Sequence, residues 1–122
     1  MRTILVVDDE ESIRLLYKEE LVDAGYRVLL APDGESALKI IKEKRPDLVT
    51  LDIRMPGMDG IEVLQKIKRM DKSMPVIMST AYGEYRQNFD VWASDAYIIK
   101  TANLDELIET IERLVAGKDG DL

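Results

Sequence analysis

Five short runs of apolar residues punctuate the chain, at 3–7, 26–30, 48–51, 75–78 and 96–99. Each is rich in Val, Ile and Leu and nearly continuous rather than alternating. That is the pattern of strands buried on both faces, and hence of a parallel sheet. The stretches between them carry apolar residues at helical spacing. Ile13, Leu16, Tyr17, Leu21 and Ala24 line the first, which Gly25 closes as a C-terminal cap. Ala37, Leu38 and Ile41 line the second, which ends before Pro46. Ile61, Leu64, Ile67 and Met70 line the third, with Asp59 as its N-cap. The fourth, about 84 to 93, is irregular, because Tyr85, Phe89, Val91, Trp92 and Ala93 form no single stripe. Leu104, Leu107, Ile108, Ile111, Leu114 and Val115 line the last, opened by Asn103 and closed by Gly117. Strand and helix repeated five times predict one doubly wound α/β domain with right-handed crossovers. It is expected to span residues 1–117, with 118–122 as a polar tail.

Composition narrows the chemistry this fold can carry. The chain has 122 residues, 46% of them hydrophobic, enough for a core without disulfides or a structural metal. It has no cysteine and no histidine, which excludes thiol catalysis, zinc sites built from those residues, and Ser-His or Cys-His triads. The protein therefore cannot carry a phosphohistidine of its own. With 24 acidic against 17 basic residues, its net charge of −7 argues against direct nucleic-acid binding as the main role. No apolar run approaches the roughly 18 residues of a membrane span, and the N-terminus does not read as a signal peptide. The expectation is a cytoplasmic protein that does not engage a membrane.

Open α/β sheets bind ligands outside the carboxyl ends of their strands. Strand one ends in Asp8-Asp9, strand three in Asp52, strand four in Ser79-Thr80 and strand five in Lys100, whereas strand two ends in Ala31-Pro32 with nothing reactive. Carboxylates gathered at one edge repel unless something neutralises them, and a hard divalent cation such as Mg²⁺ suits an all-oxygen donor set. A carboxylate beside Mg²⁺ and a lysine is equipped to attack phosphorus, with the cations and the Thr80 hydroxyl taking the phosphoryl oxygens. Asp52 is the better nucleophile. It is single, central in the sheet, and followed by a Pro56-Gly57 turn expected to leave it accessible.

The order Ile4-Leu5-Val6-Val7-Asp8-Asp9-Glu10, then Pro46-Asp47-Leu48-Val49-Thr50-Leu51-Asp52-Ile53-Arg54-Met55-Pro56-Gly57-Met58-Asp59-Gly60, then Thr80-Ala81-Tyr82 and Lys100 resembles the receiver domain of bacterial two-component response regulators. The resemblance covers essentially the whole chain and is similar to the single-domain regulators of chemotaxis and of the sporulation phosphorelay. It implies a flavodoxin-like five-stranded sheet in the order 2-1-3-4-5. It also implies that Asp52 accepts a phosphoryl group from a partner's phosphohistidine, on a sensor histidine kinase or a histidine phosphotransferase. Asp9 would ligate Mg²⁺ directly, Asp8 mainly through water, and Asp52 and the Arg54 backbone carbonyl would complete the protein's share. Thr80 and Lys100 would hold the phosphoryl oxygens, with Ala81 as the small residue beside the pocket. Tyr97 would be the aromatic that changes rotamer on activation. A downstream protein target would read the phosphorylated state of a monomer or a weak, phosphorylation-dependent dimer. Such a protein is a phosphoacceptor that gains and loses its own phosphoryl group, not an enzyme turning over a substrate.

The chain departs from the family pattern in places. Thr101 follows Lys100 where the family usually has a cis proline, and a cis bond before a non-proline costs about 2.5–4 kcal/mol. A trans bond with an altered loop, or a strained cis bond, is the expectation. The stretch from Thr80 to Lys100 is short for the family, and Ser94-Asp95 replaces a common Gly-Ala turn. Both departures bear on the fourth helix rather than on the pocket. Arg54 and Tyr82, two positions beyond Asp52 and Thr80, are expected to screen the acyl phosphate from water.

The remaining residues have plainer readings. Met55, Met58 and Met78 read as packing residues. Lys39, Lys42, Lys44, Arg45, Lys66, Lys68, Arg69 and Lys72 read as solvated helix faces. Tyr85, Phe89 and Trp92 read as core or as a partner surface. Three other functions compete. One is a receiver-fold binding module independent of phosphorylation. Another is a receiver excised from a longer regulator, with the tail as the start of its linker. The third is a small phosphatase of the haloacid-dehalogenase type, which wants a second Asp where Arg54 stands.

Overall fold

The computed structural model describes residues 1–80, 94–99 and 104–119. In chain order these form β1 (Thr3–Val7), α1 (Glu11–Asp23), β2 (Arg27–Ala31), α2 (Gly34–Lys44), β3 (Leu48–Leu51), α3 (Gly60–Met70), β4 (Val76–Thr80), β5 (Ala96–Ile99) and α4 (Asp105–Asp119). The strands pair in parallel in the order β2-β1-β3-β4-β5, the doubly wound order expected. The irregular segment at 84–93, with Tyr85, Phe89, Val91, Trp92 and Ala93, lies outside the described residues, as do Asn103 and residues 120–122.

Side chains alternate across a strand, so each strand feeds two cores. Leu5, Val7, Val49, Leu51, Val76 and Met78 pack on one face with Ala37 and Ile41 of α2 and Val63, Leu64 and Ile67 of α3. Ile4, Val6, Leu48, Ile77 and Ile98 pack on the other with Tyr17 and Leu21 of α1 and Leu107, Ile111 and Val115 of α4. Helices on both faces explain why the strand sequences are apolar at nearly every position. Met55 and Met78 are buried and Met58 packs against the first core, as expected of packing residues.

The helix ends follow their sequence signals with one exception. After α1, Gly25 (φ 99°) donates to the Val22 carbonyl and Tyr26 to the Leu21 carbonyl, both at 3.0 Å, a left-handed closure that glycine adopts at low cost. α2 ends on Arg45 in the left-handed region (φ 47°), because Pro46 disfavours another helical residue before it. Asp59 caps α3 by accepting from the Glu62 N–H at 2.9 Å. The exception is Gly117. The expected stop there is overturned, since α4 continues through it to Asp119. A glycine inside a helix costs only about 1 kcal/mol, too little by itself to end it.

Four expected positions are also corrected. Leu16 and Met70 are 38% and 46% exposed, and Ala24 is exposed too, because α1 and α3 touch the sheet along stripes narrower than the apolar pattern. Lys68 is not a purely solvated cation. Its ammonium donates to the Met74 carbonyl at 2.7 Å and pairs with Asp95 at 2.9 Å, and the same Asp95 oxygen accepts from the Val76 N–H at 2.8 Å. Asp95 thus ties the entry of β4 to that of β5 and to the end of α3.

Asp33 caps α2 by accepting from the Ser36 N–H at 2.8 Å. That backbone bond, and then the Ser36 side chain, hold its carboxyl below the usual carboxylate range. A depressed carboxylate stabilises the fold above its unfolded pKa of about 3.9, and this contribution disappears as pH falls through the lower folded value. Asp33→Ala is expected to cost about 1 kcal/mol at neutral pH. In urea melts the gap between parent and variant should narrow once the pH falls below the ordinary carboxylate range.

No helix among the described residues is long and apolar enough to cross a membrane.

Candidate metal centre

The centre is built where β1 and β3 run out side by side. The Asp8 N–H bonds the Ala31 carbonyl at 3.1 Å and the Asp52 N–H bonds the Val7 carbonyl at 3.0 Å, so sheet hydrogen bonding continues one residue past each strand. The chain then opens, and Asp8 turns back to accept from the Glu10 N–H at 3.0 Å as α1 begins. Asp8 and Asp52 are 2% and 6% exposed, whereas Asp9 stands in solvent. One carboxylate oxygen from each of Asp8, Asp9 and Asp52 falls within 4.8 Å of the other two.

Two nearly buried carboxylates and a third beside them form an unfavourable group by themselves, since like charges drawn out of water repel strongly. Their natural complement is a cation. All-oxygen donors converging on one point, with one side open to solvent, fit a hard divalent ion that keeps some of its own waters. Asp52 is less open than its following turn suggested. At 6% exposure it forms the floor of the centre rather than its rim.

The loop after Asp52 returns tightly on it. Ile53 is buried, Arg54 is exposed, and Gly57 turns the chain at φ 76°. Gly60 then starts α3 by donating to the Ile53 carbonyl at 2.8 Å. A Cβ at Gly60 would run into the Asp52 carbonyl oxygen and lie 2.7 Å from Ile53 Cα, so α3 begins with its backbone against that of Asp52. This contact was not legible from sequence, although Asp59 was visible as a cap.

Arg14 was likewise missed. It lies in the second turn of α1 and donates from Nη1 to the Asp8 carbonyl at 2.7 Å, holding the acidic loop from behind. A cation near a helix N-terminus works against the helix dipole, and that was the available signal.

The other expected site residues divide into three groups. Thr80 ends β4, paired in register with Ile99. Tyr97 is half-buried on β5, opposite Met78 in register and against the core of the α2–α3 face, and is not among the clustered carboxylates. Lys100, the bond to Thr101, Ala81 and Tyr82 lie outside the described residues. Ser79, grouped with Thr80 at its strand end, faces elsewhere: its Oγ meets the Tyr17 hydroxyl at 3.0 Å within the core.

Known proteins resemble this chain in sequence and fold. The family model described as the response regulator receiver domain matches residues 4–112. Sporulation initiation phosphotransferase F of Bacillus subtilis is 39% identical over 117 residues, covering 94% of each chain. A crystal structure of the response regulator TrrA from Thermotoga maritima in complex with Mg(2+)-BeF is 47% identical. It superimposes with a TM-score of 0.91 over 93% of this chain and 99% of that one. The same regulator in complex with the histidine kinase ThkA gives a TM-score of 0.89, again at 47% identity, over 93% of this chain and 98% of that one. Strand-end carboxylates on a 2-1-3-4-5 sheet, with a receiver model matched from Ile4 to Glu112, place this chain in the response regulator receiver domain family.

Proposed function

We propose that the chain is the phosphoacceptor of a two-component or phosphorelay system, with Asp52 as the nucleophile. The observation that carries this reading is the convergence of Asp8, Asp9 and Asp52 within 4.8 Å at the strand ends. An Asp52 carboxylate oxygen attacks the phosphorus of a phosphohistidine on a sensor histidine kinase or histidine phosphotransferase. The P–O bond forms as the P–N bond breaks, and the imidazole nitrogen keeps the electron pair and takes up a proton. Absence of histidine from this chain means that the donor belongs to a partner.

Asp8, Asp9, Asp52 and the backbone carbonyl of Arg54 would hold Mg²⁺, which supplies charge neutralisation for the transferring phosphoryl oxygens. Lys100 and the Thr80 hydroxyl take the remaining oxygens, and Asp8, buried and oriented by the Glu10 N–H, keeps the acidic loop in place. TrrA, at 47% identity, was crystallised with Mg(2+)-BeF and with a histidine kinase, which supports the same chemistry here. Tyr97 reports the phosphorylated state to a downstream protein target by changing rotamer. The receiver extends through the end of α4 at Asp119, working in the cytoplasm as a monomer or a weak, phosphorylation-dependent dimer, without direct contact to nucleic acid or membrane.

Acetyl phosphate, with and without Mg²⁺, tests the reading by intact mass. A stoichiometric, Mg²⁺-dependent adduct is expected. Continuous turnover of varied phosphomonoesters would instead indicate a phosphatase, and no adduct a binding module independent of phosphorylation.

Arg54, exposed two residues past Asp52, and Tyr82 screen the acyl phosphate from water. Arg54→Ala and Tyr82→Ala are each expected to lose the adduct several-fold faster than the parent in a phosphate-affinity gel time course. Loss at the parent rate would remove both from this role.

A further inference from the structure

A buried hydroxyl pair joins helix α1 to the end of strand β4. Tyr17 is 4% exposed and Ser79 2%, they lie 62 residues apart in sequence, and their oxygens meet at 3.0 Å. Tyr17 belongs to the apolar core that contains Val6, Leu48, Ile77 and Ile98, and Ile98 is the register partner of Ser79. Stability alone gives no reason for hydroxyls there. A buried hydrogen bond contributes little net, while an apolar pair of the same shape fills the space as well. A hydrogen bond adds direction: it fixes a distance and an angle, which apolar packing does not.

What it fixes is informative. Ser79 is the residue before Thr80, so the pair anchors the backbone from which the last residue of β4 extends. One helical turn earlier on α1, Arg14 holds the Asp8 carbonyl at 2.7 Å. Arg14 and Tyr17 are spaced i, i+3 and so share one side of the helix. A single rigid element thus grips both the acidic loop after β1 and the end of β4, across the intervening β3.

We infer that Tyr17 and Ser79 are positioning residues for phosphotransfer: their hydrogen bond sets the end of β4, and with it Thr80, at a fixed place relative to Asp8, Asp9 and Asp52. The inference rests on the reading of Asp52 as phosphoacceptor. Neither residue touches the phosphoryl group; each acts through the backbone of β4.

The test is the double variant Tyr17→Phe/Ser79→Ala, which removes both hydroxyls and leaves neither partner unpaired. Its melting midpoint and the Mg²⁺ concentration giving half-maximal phosphorylation are expected to stay close to the parent's. Its rate of adduct formation with acetyl phosphate should fall roughly three- to tenfold, the scale of a small misplacement of a group that meets the transition state. A double variant that is stable and reacts at the parent rate overturns the inference and leaves the pair a packing feature. If the double variant does not fold, Ser79→Cys decides, because it keeps the shape and weakens the bond. A slowed rate then supports the inference, and the parent rate overturns it. A parent that forms no adduct overturns the phosphoacceptor reading itself, and this inference with it.

Discussion

Asp52→Asn is expected to abolish the phosphoryl adduct and, in the same protein, to stabilise the metal-free fold. The first effect follows from chemistry, since a carboxamide oxygen is too weak a nucleophile to displace imidazole from phosphorus. The second follows from the geometry of the cluster. The oxygens of Asp8, Asp9 and Asp52 lie within 4.8 Å of one another, and Asp8 and Asp52 are nearly buried. At that spacing two unit charges repel by about 3 kcal/mol at an effective dielectric constant near 20. Lys100 is proposed to offset part of this, and Asp9 faces water, so a net gain of about 1–2 kcal/mol is expected rather than the full pair energy. Mg²⁺ reverses the order. It stabilises whichever folded form binds it, by mass action, so the parent should gain more from it than a variant with one charged ligand fewer. Thermal melts of both proteins, with Mg²⁺ and with a chelator, read the crossing directly, and intact mass reads the adduct. A variant that still takes up one phosphoryl group would move the acceptor away from Asp52. Equal stability of the two proteins in chelator would mean that the three carboxylates are not held against one another.

Gly60→Ala is expected to be the most damaging of the small substitutions. The added Cβ would collide with the Asp52 carbonyl oxygen and sit 2.7 Å from Ile53 Cα and 2.9 Å from the Asp52 carbonyl carbon. All of these are backbone atoms, so no side-chain rotation can relieve the overlap. The start of α3 must move away, stretching the 2.8 Å bond from Gly60 N–H to the Ile53 carbonyl and shifting the residue that carries the nucleophile. A cost of about 3 kcal/mol, at the upper end for overpacking, is expected. The folded fraction should form the adduct at least tenfold more slowly, on the order of what a misplaced reacting group costs. Gly57→Ala is the control. Gly57 has φ 76° but no atom within 4 Å of an added Cβ, so the variant bears only the left-handed backbone penalty of about 1–2 kcal/mol. Its adduct should form at nearly the parent rate. Urea melts and adduct kinetics on the two variants separate backbone conformation from crowding at Asp52.

Much of this molecule can be read from its residues in order. The strands at 3–7, 48–51 and 96–99 are those the apolar runs mark, while the other two are displaced by one or two residues, to 27–31 and 76–80. The displacements arise because strand ends are set by the neighbour. Arg27 pairs with Thr3 and Ala31 with Val7, so β2 begins and ends where β1 does. Asp8, Asp9 and Asp52 were legible as a set because position at a strand's carboxyl end is a local property that a parallel sheet converts into proximity. Leu16, Ala24 and Met70 misled for the opposite reason: an apolar residue on a helix says nothing of how wide a stripe the sheet will cover.

Residue order and type were enough for a parallel α/β domain, the cap residue at Asp59, and the acidic residues that meet at one edge. These depend on spacing, turn chemistry and residue type, all local. It took the docking of helices on the sheet to bring Arg14 to the Asp8 carbonyl, Lys68 to Asp95 rather than water, and Gly60 against Asp52. That docking alone joined Tyr17 to Ser79 across 62 residues. Each of these contacts depends on helices docking on the sheet at one height and angle, which is fixed by the packing of both cores together. Periodicity along the chain carries no record of that height or angle.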